Sequence, residues 1–310
     1  MASRDALAQI VVGKQGSGKT YSTNEEIAIY RGKFKRPVLI IDRKGEYTNY
    51  KSVYYDPDVK DREKRAKGNP NSGHGIKSIH LPHIYRIVCF DKNQRPMDAN
   101  QMVELILTIA DYYKNGLLIL EEMNSYIRRT IPPAFYAFLT TLRHNGVDVI
   151  LHFQANGDAH PDIWSQCTTL RLHKANDSVT SIVGKRGFDA DRFELARIAE
   201  LAIYEKYQKG VKLKKAAMLK YGHEENFPKE VKEEINRHIY YMVYCDFDLS
   251  QISNMHPVDF RKACTIFLYQ EKTQIKDLMQ IEDEHGRKIY PNKNAAIQKL
   301  VSDKELVYIN

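Results

Sequence analysis

The sequence predicts an α/β fold: a mostly parallel sheet flanked by helices, followed by a helical C-terminal region. Three observations predict it. Between about residues 9 and 174, short apolar runs alternate with stretches of helical periodicity, which is the pattern of strand–helix–strand units. A glycine-rich stretch, Gly13-Lys-Gln-Gly-Ser-Gly-Lys-Thr20, follows the first apolar run and opens the first helical stretch. Beyond about Phe188, helical periodicity continues with no clear series of strands.

The expected strands are Ala8–Val12, Pro37–Asp42, Arg86–Phe90, Leu117–Glu121, Asp148–Phe153 and Thr168–Leu172, because each is a short apolar or β-branched run bounded by polar residues. Helices are expected over Lys19–Tyr30, Ala99–Tyr113 and Pro133–His144. The stretch from about 56 to 79 is rich in charge, glycine and proline and lacks apolar periodicity, so it reads as a long surface loop. In the C-terminal half, Phe193–Ile203, Lys212–Tyr221, Val231–Tyr244, Pro257–Tyr269 and Ala295–Val301 read as helices. The domain division follows: residues 1–204 form the α/β domain and 205–310 a helical one.

The totals restrict the class. With 310 residues, 43% hydrophobic and 28% charged, the chain can bury a sizeable core as an ordinary globular protein. No apolar run is long enough to cross a bilayer, and a strand is needed so soon after the N-terminus that a cleavable leader has no room. The expected location is therefore cytoplasmic. Cys89, Cys167, Cys245 and Cys264 are scattered without a C-x-x-C pair, which reads as reduced thiols and not as a disulfide or zinc framework. A net charge of +8 is compatible with nucleic acid but does not require it.

The glycine-rich stretch fits G-x-x-x-x-G-K-[ST] in full: Gly13, Lys14, Gln15, Gly16, Ser17, Gly18, Lys19 and Thr20. Glycines let the backbone wrap phosphates with its N–H groups pointing inward, and the following helix aims its positive end at the same anion. In this pattern Lys19 reaches the β- and γ-phosphates of ATP and the Thr20 hydroxyl holds Mg²⁺. A second element, Leu117-Leu-Ile-Leu-Glu-Glu122, is a buried strand ending in two carboxylates, at the end of a parallel sheet where ligands bind. Glu121 would support the Mg²⁺ shell, and Glu122 would orient or deprotonate an attacking water. The competing reading is a helix N-terminus that favours acidic residues. The third element is the run Gly146–Gln154, a strand ending in an amide that could contact a γ-phosphate or the lytic water.

Together these elements resemble the additional-strand P-loop ATPases, specifically the FtsK/HerA superfamily. Leu39-Ile-Ile-Asp-Arg-Lys-Gly-Glu-Tyr47 is similar to that superfamily's second strand. Arg143-His144, Gly146-Val-Asp148, Gln154, Asp162-Ile163 and Arg171-Leu-His-Lys174 resemble, in order and spacing, the Zot-like ATPases of filamentous phages. The resemblance covers about residues 5–185 and implies a RecA-like core, Mg-ATP hydrolysis, and a ring of identical subunits, pentameric or hexameric. It also implies an arginine that completes the neighbouring subunit's site; Arg143 is the first candidate, against a role at its own helix C-terminus, and Arg128 or Arg129 the second. Two departures stand out. The family's acidic pair is usually Asp-Glu where this chain has Glu121-Glu122, and Zot-like proteins carry a membrane span that this chain lacks. The latter leaves viral genome-packaging ATPases and DNA translocases.

The expected activity is thus ATP-driven movement of double-stranded DNA, foremost into a viral capsid, with capsid or portal-vertex proteins as possible partners. A plasmid or cellular translocase is the alternative, as is an assembly factor that does not grip DNA. Two basic segments could contact DNA: Lys60, Arg62, Lys64, Arg65 and Lys67, or Lys206, Lys209, Lys212, Lys214, Lys215 and Lys220. Each could equally be a solvated face. Tyr240, Tyr241 and Tyr244 sit at helical spacing and read as core, while His80 and His83 lack a third ligand nearby.

Overall fold

A computed structural model describes residues 6–45, 47–68, 75–90, 95–123, 133–174, 190–239, 242–246, 251–270, 281–282, 284–285, 288–289 and 293–309. The chain divides into two compact units, residues 1–13 with 19–169, and residues 14–18 with 170–310.

In chain order, the first unit contains β1 (Ala8–Val12), α1 (Lys19–Phe34), β2 (Val38–Asp42), β3 (Lys51–Ser52), α2 (Arg62–Lys67), β4 (Ile84–Val88), α3 (Ala99–Tyr112), β5 (Leu117–Leu120), α4 (Pro133–His144), β6 (Asp148–Phe153) and α5 (Pro161–Gln166). Its strands lie in the order β1-β6-β5-β2-β4-β3, and every neighbouring pair is parallel. Every residue of β1, β2, β5 and β6 is buried. That is why these strands are largely apolar runs: a parallel sheet is covered on both faces. This is the mostly parallel, helix-flanked core that the sequence predicts. The strand order adds that β6 lies between the strand leading into the glycine-rich loop and the strand leading into the acidic pair.

One apolar layer of this unit joins Val11, Ile27, Val38, Ile40, Tyr47, Leu117, Ile119 and Ile150. Helix α3 begins with a reciprocal cap, in which Gln101 N donates to Asp98 Oδ1 (2.8 Å) and Asp98 N donates to Gln101 Oε1 (3.0 Å). It ends at the fully buried Tyr113, whose hydroxyl donates to the carbonyls of Pro37 (2.9 Å) and Leu117 (3.1 Å). Gly116 passes so close that a Cβ there would lie 2.1 Å from the Tyr113 oxygen. This contact sets where β5 starts, and hence where its acidic end falls.

The charged stretch is less open than its composition suggests. Arg62–Lys67 is a helix capped by Asp61, and Arg65 is buried. The Arg65 guanidinium donates to Tyr55 Oη (3.0 Å) and Glu104 Oε2 (3.1 Å), while Arg62 pairs with Glu104 (3.3 Å) and Asp111 (2.9 Å). Charge masked the pattern, because the residue that anchors this helix is an arginine. The expected strand Arg86–Phe90 is displaced to Ile84–Val88.

The second unit contains β7 (Thr169–Leu172, whose first residue belongs to the first unit), α6 (Ala190–Ala202), α7 (Tyr204–Tyr221), α8 (Lys229–Ile239), β8 (Val243–Asp246), β9 (Gln251–Ser253), α9 (Pro257–Gln270), β10 (Ile281–Glu282), β11 (Lys288–Ile289), α10 (Lys293–Asp303) and β12 (Val307–Ile309). It is mainly helical, with strands that the sequence reading lacked. Strands β8 and β9 pair antiparallel, and β9 and β12 pair parallel. The expected helix Val231–Tyr244 ends at Ile239. Val243 and Cys245 are buried and Tyr244 between them is less so, a period of two in place of 3.6. Tyr244 is therefore a strand residue, while Tyr240 and Tyr241 lie outside the described residues. All four cysteines are free and buried, and burial pushes the Cys89, Cys167 and Cys264 thiols up to about 12. Among the described residues no helix is long and apolar enough to cross a membrane.

Gly116→Ala should shift the urea unfolding midpoint by an amount equivalent to roughly 1–3 kcal/mol, because Tyr113 has no room to retreat. An unchanged midpoint would contradict the close approach.

Candidate functional site

The first unit gathers its polar side chains at the C-terminal ends of β1, β2, β5 and β6. The register pairs Leu120 with Leu151 and Val12 with Phe153. It therefore puts Glu121 level with His152, and Gly13 next to the end of β6. Gly13 N donates to the Phe153 carbonyl (3.2 Å), tying the start of the glycine-rich loop to that strand. Gly16 (φ 75°) and Gly18 (φ 90°) occupy backbone conformations that side chains disfavour, which accounts for two of the three motif glycines. Lys14–Gly18 belongs to the second unit, where Lys14 N donates to the Lys174 carbonyl (2.9 Å) and a ring nitrogen of His173 lies 3.1 Å from Ser17 O. Lys19, the first residue of α1, donates its ammonium to the Gly13 carbonyl.

Glu121 follows β5 directly and is 5% exposed. A buried carboxylate is costly unless hydrogen-bonded or paired. Three side chains from three other elements face its Oε1. The Tyr47 hydroxyl donates at 2.6 Å, Thr20 Oγ1 on α1 lies at 3.5 Å, and His152 Nδ1 on β6 lies at 3.7 Å. The other imidazole nitrogen of His152 is 2.9 Å from Thr23 Oγ1, so α1 reaches the carboxylate a second time through the ring. Thr20 and Glu121 are the pair the sequence assigns to Mg²⁺, and they lie together. Among the described residues no group of three or more His, Cys, Asp and Glu side chains could hold a metal by itself. A divalent cation at Thr20 and Glu121 would draw its remaining ligands from phosphate oxygens and water, as Mg²⁺ does beside nucleotides.

Glu122 is half-buried and ion-paired with Lys44, in the turn after β2. Its backbone is left-handed (φ 52°), an uncommon conformation for glutamate. The two consecutive carboxylates thus turn to different partners, Glu121 to Tyr47, Thr20 and His152, and Glu122 to Lys44. Asp42, fully buried at the end of β2, accepts from Tyr47 N (3.0 Å) and pairs with Arg86 (3.1 Å), which fixes the turn carrying Lys44 and Tyr47.

Gln154 is exposed immediately after β6. Arg143 is not brought to this end. It closes α4, ahead of β6, and donates to the Gln166 carbonyl (2.9 Å). The six residues of β6 span about 20 Å, so Arg143 lies at the far edge of the sheet from Glu121. It does not reach the acidic pair of its own chain. Arg128 and Arg129 lie outside the described residues.

Tyr47, Lys44, His152, Thr23 and Asp42 were not among the expected site residues. His152 carried a signal, a polar residue inside an otherwise apolar strand. Tyr47, Lys44 and Asp42 lie in the stretch Leu39–Tyr47, where no local pattern marks them as site residues.

No protein-family model matches the chain, and no curated protein sequence matches it. It is similar to solved structures of the genome packaging NTPase B204 from Sulfolobus turreted icosahedral virus 2. With AMP, the identity is 14% over 83% of this chain and 98% of that one, with a TM-score of 0.46. With ATP-gammaS, it is 17% over 60% and 83%, with a TM-score of 0.41. It is also similar to the N-terminal domain of zonular occludens toxin from Neisseria meningitidis, at 18% identity over 54% of this chain and 76% of that one, with a TM-score of 0.30.

The left-handed backbone at Glu122 predicts a difference between two truncations that lose the Lys44 pair equally. Glu122→Gly should be more stable than Glu122→Ala by about 1 kcal/mol in denaturant titration, since only glycine relieves the strain. Equal stabilities would mean that this backbone conformation is not kept in solution.

Proposed function

We propose that the chain is an Mg-ATP hydrolase that moves double-stranded DNA, as a viral genome-packaging ATPase working in a ring of identical subunits. The observation that carries the hydrolase reading is the meeting of Thr20 and Glu121, 3.5 Å apart, with Glu122 and Gln154 at the same end of the sheet. The roles follow from position. The backbone N–H groups of the glycine-rich loop and the Lys19 ammonium hold the phosphates, with Lys19 exchanging its Gly13 carbonyl for the ligand. Thr20 and Glu121 hold Mg²⁺, which when bound neutralises charge developing on the phosphoryl oxygens. Glu122 accepts the proton of the attacking water, and Gln154 hydrogen-bonds the γ-phosphate or that water. Arg143 acts on the neighbouring subunit's site, since its own is out of reach.

The packaging reading is supported by the order and spacing of the Zot-like and FtsK/HerA-like motifs in the sequence. It implies work in a host cytoplasm, docked on a capsid vertex. For the nucleic acid, α7 is the better of the two basic segments, because Arg62 and Arg65 are spent on Glu104 and Asp111. On α7, Lys206 pairs with Asp259 and Lys214 with Glu224, whereas Lys209, Lys212 and Lys215 are exposed along the helix at intervals of three residues. Such a row tracks phosphates without reading bases.

One experiment covers these roles: ATPase rate with and without double-stranded DNA across a salt series. Wild type should be stimulated by DNA. Lys19→Ala should lose hydrolysis, and Glu122→Gln should slow it by about 10²–10⁴-fold. Reversing Lys209, Lys212 and Lys215 to Glu should remove the stimulation while leaving the basal rate. Arg143→Ala mixed with Glu122→Gln should be more active than either alone. Hydrolysis indifferent to DNA at every salt concentration would sink the translocase reading and favour an assembly factor.

A further inference from the structure

We propose that Tyr47 is the positioning residue for the Glu121 carboxylate, and that through Glu121 it sets how readily hydrolysis is activated by a divalent cation. The inference rests on the hydrolase reading above and goes beyond it by assigning a task to the turn after β2. Tyr47 is 4% exposed, and its ring belongs to the apolar layer that includes Val11 of β1, Ile27 of α1 and Ile119 of β5. Its backbone N–H is held by the fully buried Asp42, itself paired with Arg86. Ring and backbone are therefore both fixed, and the hydroxyl donates to Glu121 Oε1 at 2.6 Å. This is shorter than the approach of Thr20 (3.5 Å) or of His152 (3.7 Å) to that oxygen.

The length of the Glu121 side chain explains why such a clamp is needed. A glutamate at position 121 has one more rotatable bond than an aspartate, so its carboxylate samples more orientations when nothing holds it. A phenol hydrogen bond to Oε1 restricts the carboxylate to one orientation, the one in which Thr20 Oγ1 also approaches that oxygen. Outer partners of this kind orient a metal-facing carboxylate and are felt in metal affinity more than in ligand binding. Tyr47 touches neither nucleotide nor water in this scheme. It acts through Glu121.

The test is Tyr47→Phe in the full chain, which keeps the ring in the core and removes only the hydroxyl. Three quantities are read: ATP affinity in EDTA, the Mg²⁺ concentration for half-maximal hydrolysis, and the thermal midpoint. ATP binding without metal should stay at the wild-type value and the thermal midpoint should fall only modestly, because Thr20 and His152 still face the carboxylate, while the Mg²⁺ requirement rises about tenfold and the rate at saturating Mg²⁺ largely recovers. In a Glu121→Asp background the shorter side chain falls away from Tyr47, so adding Tyr47→Phe should have little further effect. An unchanged Mg²⁺ requirement would overturn the proposal, as would a shift of the same size in the Glu121→Asp background. Loss of the thermal midpoint together with EDTA-state ATP binding would overturn it too, by making the role structural. Failure of the hydrolase reading is seen separately, as absence of Mg²⁺-dependent turnover in wild type.

Discussion

A carboxylate buried at the end of a parallel strand is the constraint around which this molecule is arranged. Glu121 sits where β5 ends, shielded from solvent, and an unpartnered charge there would destabilise the fold. Each neighbouring element contributes something to make it tolerable: a phenol from the turn after β2, a hydroxyl from the start of α1, and an imidazole from β6 backed by a second α1 hydroxyl. These three elements converge on the end of β5 only because β6 lies between β1 and β5. The same order sets Gly13 beside the end of β6, just before the exposed Gln154. Fold and candidate chemistry are thus one problem, solved by strand order.

The arrangement separates two adjacent glutamates that start with the same chemistry. Glu121 is surrounded by donors and faces α1, whereas Glu122 turns through a left-handed backbone to meet Lys44. A regular strand would also send consecutive side chains to opposite faces, but the left-handed residue ends the strand at the acidic pair and keeps both carboxylates at its tip. The turn after β2 supplies a partner to each, Tyr47 to one and Lys44 to the other. Asp42 and Arg86 brace that turn from below.

How much of this could be read in the sequence depends on the range over which each signal acts. Strands β1 and β6 and helix α4 fall at their expected bounds, because each is a strong local pattern with an abrupt end. The glycine-rich loop and the acidic pair were legible for the same reason. Tyr47 and His152 were not, since they meet Glu121 from 74 residues away in one case and from another strand in the other. Nothing local marks a tyrosine as a carboxylate's partner. Helix α2 was obscured because its anchor is the buried Arg65, and a charge pattern hides an inward-facing guanidinium. The strands β8, β9 and β12 are too short for a period of two to stand out, and β8 lies close behind a strongly amphipathic helix whose pattern appeared to continue. The left-handed backbone of Glu122 has no sequence signature at all, because glycine or asparagine is the usual choice there.

The central claim is that Glu121, held in its buried nest, is what brings a divalent cation to a phosphate ligand in this chain. Its most direct measurement is Mn²⁺ binding by electron paramagnetic resonance in the presence of a non-hydrolysable ATP analogue, for wild type and Glu121→Gln. The account predicts that both proteins bind the analogue in EDTA, and that the variant binds Mn²⁺ more weakly by at least about tenfold. Equal Mn²⁺ affinity in the two proteins would contradict it.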